Sequence, residues 1–149
     1  MNQYSIEQVL PHRAPMILID KLCHYDEQAA RCSVKITPDS PFYQPHKQAV
    51  PSYIGIEYMA QAIAAYAGAD ALDVGEPVQI GYLLGSRKYQ PSQAWFSCGS
   101  QLYIDVERLY EESSGLRVFQ CQIIIDEQVI VDAKVNVFLP QLANQENQS

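Results

Sequence analysis

Positive charge and long apolar runs are both scarce in this sequence. The 149 residues include 10 Lys and Arg against 17 Asp and Glu, which gives a formal net charge of −7. Such a balance repels nucleic-acid phosphates, so nucleic-acid binding is not expected. The longest uncharged stretch of the central segment, 58–69, is too short to cross a bilayer, and the first residues contain no basic stretch followed by an apolar one. We therefore expect a soluble, cytoplasmic protein with no membrane partner.

Motifs for metals, nucleotides and serine hydrolysis are missing as well. No two cysteines have the C-x-x-C spacing that brings two thiolates to one zinc, so no metal site is predicted. We expect all four to be reduced core residues, with the last two in strands. They are Cys23, Cys32, Cys98 and Cys121. The glycine patterns of phosphate-binding loops and the G-x-S-x-G elbow are absent, which argues against a nucleotide site and a serine hydrolase.

The composition favours one folded domain. Apolar residues make up 48% of the chain and charged residues 18%, a balance that disfavours intrinsic disorder. A chain of this length matches the commonest size of a single domain. We expect one domain over residues 1–139 and a frayed C-terminal tail over 140–149.

The first half of the chain predicts a hairpin, an irregular loop and one helix. Residues 14–22 and 31–37 have strand-like patterns, with a turn around 25–28 between them. Four prolines interrupt 37–51, so this segment is predicted to be irregular. A helix is expected from Ser52, whose hydroxyl is placed to accept a hydrogen bond from a first-turn amide. Because apolar residues surround most of this helix, it is predicted to be buried.

The second half predicts long antiparallel strands. The expected strands span 93–110, 116–125 and 128–139 and form a meander with turns at polar, Gly-containing or acidic segments. The fold class is therefore α+β, with a curved antiparallel sheet wrapped around one long central helix. Such a sheet has edges to cover, and pairing with a second subunit through an edge strand covers them. We expect a homodimer or a heterodimer with a related chain.

Three sequence blocks carry a resemblance to a known family. They are residues 10–20 (LPHRAPMILID), residues 41–46 (PFYQPH), and Pro51 with residues 55–62 (GIEYMAQA). In this order they resemble the hot-dog-fold β-hydroxyacyl-(acyl carrier protein) dehydratases of fatty-acid and polyketide-type synthesis, over about residues 8–139. Among these the chain looks most like the dehydratases encoded with aryl-polyene pathways. It departs from the family pattern after His46, which is followed by Lys-Gln-Ala instead of Phe-Pro-Gly and lies only 11 residues before Glu57.

The resemblance implies an active site of one histidine and one carboxylate, contributed by different subunits. Dehydration of a 3-hydroxyacyl thioester needs a base for the α-proton and an acid for the leaving hydroxide. His46 is the candidate base, and Glu57 the candidate acid or water-orienting group. The amides at the helix start can polarise the thioester carbonyl, and a glycine there lets an acyl chain approach closely. These substrate-binding candidates are Ser52, Tyr53, Ile54 and Gly55. No cofactor is required, and the expected substrate carrier is an acyl carrier protein.

Alternative hypotheses remain open at this point. The chain could be a non-catalytic hot-dog partner subunit of another dehydratase, or a hot-dog acyl thioesterase in which Glu57 activates water. We expect structural roles for His12 and Arg13, with His12 hydrogen-bonded in the N-terminal turn, and an exposed turn position for His24. The cations proposed to receive an acidic carrier protein are Arg13, Lys47, Arg87 and Lys88. The length and aromatic or aliphatic nature of the acyl chain are not specified by the sequence.

Overall fold

The computed structural model of the chain describes residues 4–140. Two helices and eight strands follow one another in this range, and the α+β prediction is confirmed. In chain order they are α1 (Ile6–Val9), β1 (Lys21–Tyr25), β2 (Ala29–Lys35), β3 (Ala49–Pro51), α2 (Gly55–Asp73), β4 (Tyr82–Arg87), β5 (Trp95–Ser97), β6 (Gln101–Glu111), β7 (Leu116–Ile125) and β8 (Gln128–Phe138). The expected fraying of the tail concerns residues that lie almost wholly outside the described range.

Six strands form one antiparallel sheet that packs against α2. Their order is β1-β2-β6-β7-β8-β4, and β3 and β5 form a separate two-stranded ribbon. The helix residues that face the sheet are almost fully buried. Exposure is at most 1% for each of Tyr58, Met59, Ala62 and Tyr66. The sheet supplies its alternate residues to the same core, such as Phe119, which meets the Tyr66 ring edge-on.

The long helix begins three residues later than the sequence predicts. Residues Ser52–Ile54 form a 3₁₀ turn, and α2 starts at Gly55. Ser52 is therefore not the N-cap of the α-helix, and neither helical segment has a side-chain cap. The Ser52 amide instead donates to the Ala94 carbonyl at 3.0 Å, which ties the turn to the segment before β5.

The apolar run at 14–22 is mostly an extended segment and not a strand. Regular pairing starts only at Lys21, because Pro15 has no amide to donate and the segment turns onto α2. Gln61 of α2 holds it there: its Oε1 accepts from the Leu18 amide at 2.8 Å, and its Nε2 donates to the Met16 carbonyl at 2.7 Å. The side-chain amide thus replaces the neighbouring strand that the segment lacks.

The helix α1 packs very closely on the middle of α2. A Cβ atom built on Gly68 would lie 1.9 Å from the Val9 carbonyl oxygen, so only glycine permits this crossing. At the end of α2 the Asp73 carboxylate accepts hydrogen bonds from the hydroxyls of Tyr4 at 2.6 Å and Tyr25 at 2.7 Å. These bonds lower the pKa of Asp73, and burial with the Asp73 contact raises the pKa of Tyr25 to about 12.

The predicted strand 93–110 is two strands separated by a turn. Gly99 has a φ of +92°, and the chain between β5 and β6 reverses its course there. Cys98 lies in this turn and is exposed, so its prediction as a buried strand residue is wrong. Cys32 and Cys121 are buried, Cys23 is half-buried, and all four are free thiols.

Strand β8 matches the predicted strand 128–139, and its buried residues alternate with less buried ones from Val131 onwards. A register shift opposite Ile123 and Ile124 places Ile130 inside with Val131 and leaves Val129 48% exposed.

Strand β4 forms one edge of the sheet, where it pairs only with β8 and carries large exposed apolar side chains. Tyr82 and Leu84 are 55% and 59% exposed, and the preceding Ile80 is 61% exposed. Among the described residues, the structure contains no helix with the length and apolarity needed to cross a membrane.

Candidate active site

A cavity of about 200 Å³ lies between α2 and the strands at the β4 edge. One wall is a stripe of α2 side chains three or four residues apart, which places them on one helix face. The opposite wall comes from β4, β7, β8 and the segment before β4. The lining residues are His12, Glu57, Ala60, Gln61, Ile63, Ala64, Ala67, Gln79, Gly81, Tyr82, Leu83, Arg117, Val137 and Leu139. The alanines on α2 leave the space that a larger side chain would fill.

Glu57 lies in the first turn of α2 and contributes its carboxylate to this cavity. Its side chain is exposed in the single chain, so the sequence-based expectation of a carboxylate enclosed by an apolar helix is wrong for one subunit. The helix stripe continues from Glu57 through Ala60 and Ala64 to Ala67, about 15 Å along the axis. A carboxylate therefore stands at one end of an elongated pocket with a small-residue floor.

His12 lies in the same cavity as Glu57. Its Nδ1 is buried and has no hydrogen-bond partner within the described part of the chain. The expected hydrogen bond in the N-terminal turn is therefore not made by this atom. Burial lowers the pKa of His12, and the Glu57 carboxylate opposes that shift. Only the packing of the segment after α1 onto α2 brings this pair together, and no spacing in the sequence signals it.

His46 lies at the exposed end of a turn, outside this cavity. The turn is closed by the Gln44 amide, which donates to the Ala49 carbonyl at 2.8 Å. One subunit therefore does not bring His46 and Glu57 to the same pocket. Because the resemblance implies that these residues come from different subunits, the role of His46 stays a prediction.

The helix start is more enclosed than the sequence suggests. Tyr53 is 68% exposed, whereas Ser52 and Ile54 are at most 6% exposed. The Gly55 amide donates to the Ser52 carbonyl, and that carbonyl also accepts from the Tyr89 hydroxyl at 2.6 Å. The Ser52 amide is also bonded, and the 3₁₀ turn over Ser52–Ile54 uses the Ile54 amide, which leaves Tyr53 as the candidate amide donor.

A side chain at Gly55 would point into the core and not into open space. A Cβ atom built on it would lie 2.0 Å from the Tyr89 hydroxyl oxygen and 2.7 Å from Ile123 Cδ1. The missing side chain therefore lets Tyr89 and Ile123 pack against the helix. The sequence analysis explains this glycine by the close approach of an acyl chain. A side chain at this position would instead point towards Tyr89 and Ile123 in the core.

Arg117 is the cation of the cavity wall, and a carboxylate holds it. Its Nε lies 2.9 Å from Oε2 of Glu111, and its side chain is 20% exposed. The geometry at Arg117 Nε does not meet the criteria for a hydrogen bond, so this contact with Glu111 is an ion pair only. Arg108 approaches the other Glu111 oxygen at 3.3 Å. The polar end of the β6–β7 hairpin therefore borders the pocket.

The cations expected to receive a carrier protein are in different places. Arg87 and Lys88 line a shallow surface groove that also contains Lys134 and Asp132. Lys47 lies over the Trp95 ring at 5.7 Å from its centroid. Arg13 turns back on its own segment and donates to the carbonyls of Leu10 and His12 at 3.3 and 2.8 Å. Among the described residues there is no cluster of three or more potential metal ligands.

Comparison with known proteins identifies the family. The model of the ApeP-like family, described as ApeP dehydratase, matches residues 4–148. The chain belongs to the ApeP-like dehydratase family. This ApeP-like chain is also 29% identical to a 3-hydroxyacyl-[acyl-carrier-protein] dehydratase FabZ of Albidiferax ferrireducens, over 96% of its own length and 97% of the relative's. A FabZ of Shewanella sp. strain MR-4 is 28% identical, with coverage of 91% and 92%.

Solved structures agree with this assignment. A chain of the dehydratase heterocomplex ApeI:P from Xenorhabdus doucetiae superposes with a TM-score of 0.88 at 26% identity, covering 99% of this chain and 98% of that one. A hypothetical thioesterase from Streptococcus pneumoniae, solved with coenzyme A, reaches a TM-score of 0.60 at 12% identity, covering 80% and 86%, and shares only the fold. The ApeP-like chain is thus a dehydratase with the hot-dog fold that the sequence blocks predict.

Proposed function

We propose that this ApeP-like dehydratase removes water from a 3-hydroxyacyl thioester held on an acyl carrier protein, in fatty-acid or aryl-polyene-type biosynthesis. The product is the trans-2-enoyl thioester. The observation that carries this proposal is the Glu57 carboxylate at one end of a pocket floored by small and apolar side chains of α2. The names of the FabZ relatives, which act on such substrates, support the substrate class.

The chemistry assigns complementary roles to two side chains. A base takes the α-proton, and the C–O bond at the 3-position breaks as the departing oxygen takes a proton from an acid and leaves as water. Glu57 is proposed as this acid or as the group that orients the leaving water. His46, supplied by the other subunit, is proposed as the base. The amide of Tyr53, at the start of the helix, is proposed to stabilise the enolate oxygen that forms on the thioester. This route needs no cofactor or metal.

The partner of this chain is proposed to be a second hot-dog subunit that binds at β4. This edge strand has backbone groups on its free side and carries Tyr82 and Leu84 with more than half of their surface exposed. Apolar side chains on an unpaired edge are unfavourable in an isolated molecule. The structural neighbour belongs to a dehydratase heterocomplex, ApeI:P, and this supports a second hot-dog subunit as the partner. Both a second copy of this chain and a related chain fit the same edge.

The carrier protein is proposed to dock near the groove that Arg87, Lys88 and Lys134 line. Acyl carrier proteins are acidic, whereas this chain has a net charge of −7, so a local cationic surface is required for approach. The groove follows β4 and β8, the strands that also supply one wall of the pocket. Asp132 and Lys134 alternate with buried residues of β8, so this groove is on the face of the sheet away from α2, and the thioester arm must pass around an edge of the sheet to enter the pocket.

The decisive experiment measures enoyl formation from a 3-hydroxyacyl carrier-protein substrate, with the chain alone and with its hot-dog partner. Glu57→Gln keeps the size of the side chain but removes its proton chemistry, and we expect kcat to fall by about 10²- to 10⁴-fold. Glu107→Gln, on the outer face of β6, is the matched control and should keep the full rate. Undiminished turnover in Glu57→Gln would contradict the proposal.

A second candidate function has one observation in its favour. Because His46 is exposed and outside the cavity of its own chain, this subunit alone does not hold both groups. A non-catalytic role would appear as no activity alone and full activity of the mixture even with Glu57→Gln in this chain. Loss of the mixture's activity on that substitution instead assigns the catalytic carboxylate to this chain. Thiol release without enoyl formation would indicate a thioesterase.

A further inference from the structure

His12 and Glu57 are the imidazole and the carboxylate that a single subunit brings to one cavity. They arrive from different elements: Glu57 from the first turn of α2, and His12 from the segment that follows α1. This pairing within one chain is independent of the cross-subunit pairing of His46 with Glu57. It therefore does not require a second subunit to form.

The segment that carries His12 is fixed at both ends. On one side Arg13 donates to the carbonyls of Leu10 and of His12 itself, which closes the turn around the histidine. On the other side Gln61, one helical turn after Glu57, holds the backbone of Met16 and Leu18. The side-chain amide of Gln61 and the carboxylate of Glu57 lie on the same helix face, so the position of His12 relative to Glu57 is set by α2.

The buried Nδ1 of His12 is a polar atom in need of a partner. A buried donor or acceptor without a hydrogen bond is costly, and native proteins contain few of them. A histidine with a purely structural role would have its ring nitrogen bonded to the surrounding backbone, as the Arg13 guanidinium does. In the described chain Nδ1 has no partner and is itself shielded from solvent, while the imidazole lines the cavity that also contains Glu57.

We infer that His12 is a substrate-contacting residue of the dehydratase site, whose imidazole accepts a hydrogen bond from the 3-hydroxyl group of the bound thioester. This inference rests on the proposed function. The hydrogen bond holds the C–O bond so that its oxygen faces Glu57. When that bond breaks, the oxygen takes the proton of Glu57 and leaves as water, while the α-proton goes to the base. His12 itself gains and loses no proton in the step.

The charged and titratable groups around His12 determine the pH dependence. Glu57 faces it from α2, Arg117 from β7 and Tyr82 from β4, with Arg13 next to it in the chain. Because burial lowers the pKa of His12, the neutral imidazole, which can accept a hydrogen bond, is favoured at neutral pH. Protonation at lower pH removes this acceptor. The wild-type kcat/KM should therefore fall on the acid side as His12 gains a proton.

The test compares His12→Ala and His12→Asn with His24→Ala as a matched control, in the assembled dehydratase with the carrier-protein substrate. His24 is an exposed histidine on β1, away from the pocket. We expect His12→Ala to lower kcat/KM by about tenfold to a hundredfold and to lose the acid limb that belongs to His12. His12→Asn places a side-chain acceptor near the Nδ1 position and should recover part of the loss. His24→Ala should match wild type.

Two outcomes separate this inference from the proposed function. Wild-type kcat/KM and an unchanged pH profile in both His12 variants, with Glu57→Gln inactive, would overturn the role of His12 and leave the dehydratase site intact. An active Glu57→Gln would instead contradict the proposed function itself. Circular dichroism and sedimentation of each variant establish folding and assembly. If His12→Ala does not assemble, the pH profile and kcat/KM of His12→Asn decide the question.

Discussion

Gly68 is the residue at which the two helices of the fold come closest. In an exposed helix interior, replacing glycine by alanine raises stability by about 1 kcal/mol. At Gly68 the new Cβ would lie 1.9 Å from the Val9 carbonyl oxygen and 2.8 Å from its carbon, so α1 must move. The steric effect should outweigh the helix propensity, because backbone atoms cannot yield as a flexible side chain can.

Gly68→Ala is therefore expected to destabilise the protein by about 1–3 kcal/mol, the usual cost of overpacking. Urea unfolding followed by circular dichroism measures this difference. Gly85→Ala in β4 is the control, since a Cβ there meets nothing within 4 Å. Equal unfolding midpoints for wild type and Gly68→Ala would show that α1 separates from α2 without cost.

Single residues also mark the limit of the sequence-based site prediction. Glu57 is identifiable because the block around it, GIEYMAQA, resembles the helix start of the dehydratase family, and it does line the cavity. His12 was assigned a structural role because its neighbours in space come from residues more than 40 positions away. Neither periodicity nor spacing encodes such a contact. The role of His46 remains a prediction, since it depends on a second subunit.

At the scale of the elements, the segment between α1 and β1 is held on α2 by the side chain of Gln61. Gln61 makes two hydrogen bonds to its backbone, and both involve partly buried groups. Removal of the amide leaves the Leu18 N–H and the Met16 carbonyl without these partners. The segment carries His12, so its anchoring also bears on the pocket.

Gln61→Met, of similar length and volume, should lower the free energy of unfolding by about 2 kcal/mol because two polar backbone groups lose their partners. Hydrogen exchange of the Leu18 amide should accelerate beyond the global change. Gln122→Met on β7 is the control, because its amide bonds to Asp132 at the exposed outer face. Unchanged exchange at Leu18 would mean that Gln61 does not hold the segment.

The sequence predicts helices and strands correctly where the apolar periodicity and the turn-forming residues indicate the same boundaries. The predicted strand 116–125 matches β7, and the helix is displaced only at its start. The errors have local causes: Pro15 and the Gln61 bonds keep 14–20 out of the sheet, and Gly99 splits a single predicted strand. The pairing of β4 with β8, instead of with a sequence neighbour, is a long-range choice that a local pattern does not contain.

At the scale of the whole molecule, we propose that the β4 edge of the sheet mediates assembly. Leu84 is 59% exposed on β4 and is not part of the cavity lining, so it reports on the edge separately from the pocket. A charge placed there would be buried without a partner when a second subunit binds. Such burial is unfavourable.

Leu84→Glu is expected to weaken subunit association by at least about tenfold and to lower dehydratase activity in parallel at dilute protein concentration. Sedimentation velocity over a range of concentrations measures the association. Val129→Glu serves as the control because Val129 is 48% exposed on β8, beyond the part that pairs with β4. If both variants assemble as wild type does, the β4 edge is not the subunit contact.

Strand β4 contributes Tyr82 and Leu83 to the pocket wall while its other side remains open for pairing. The register shift between Leu83 and Gly85 lies within this same short strand. Any neighbouring chain that adjusts this strand will also reshape the space offered to the acyl group. Partner exchange would then retune the chemical selectivity of the enzyme without a single substitution in its own polypeptide.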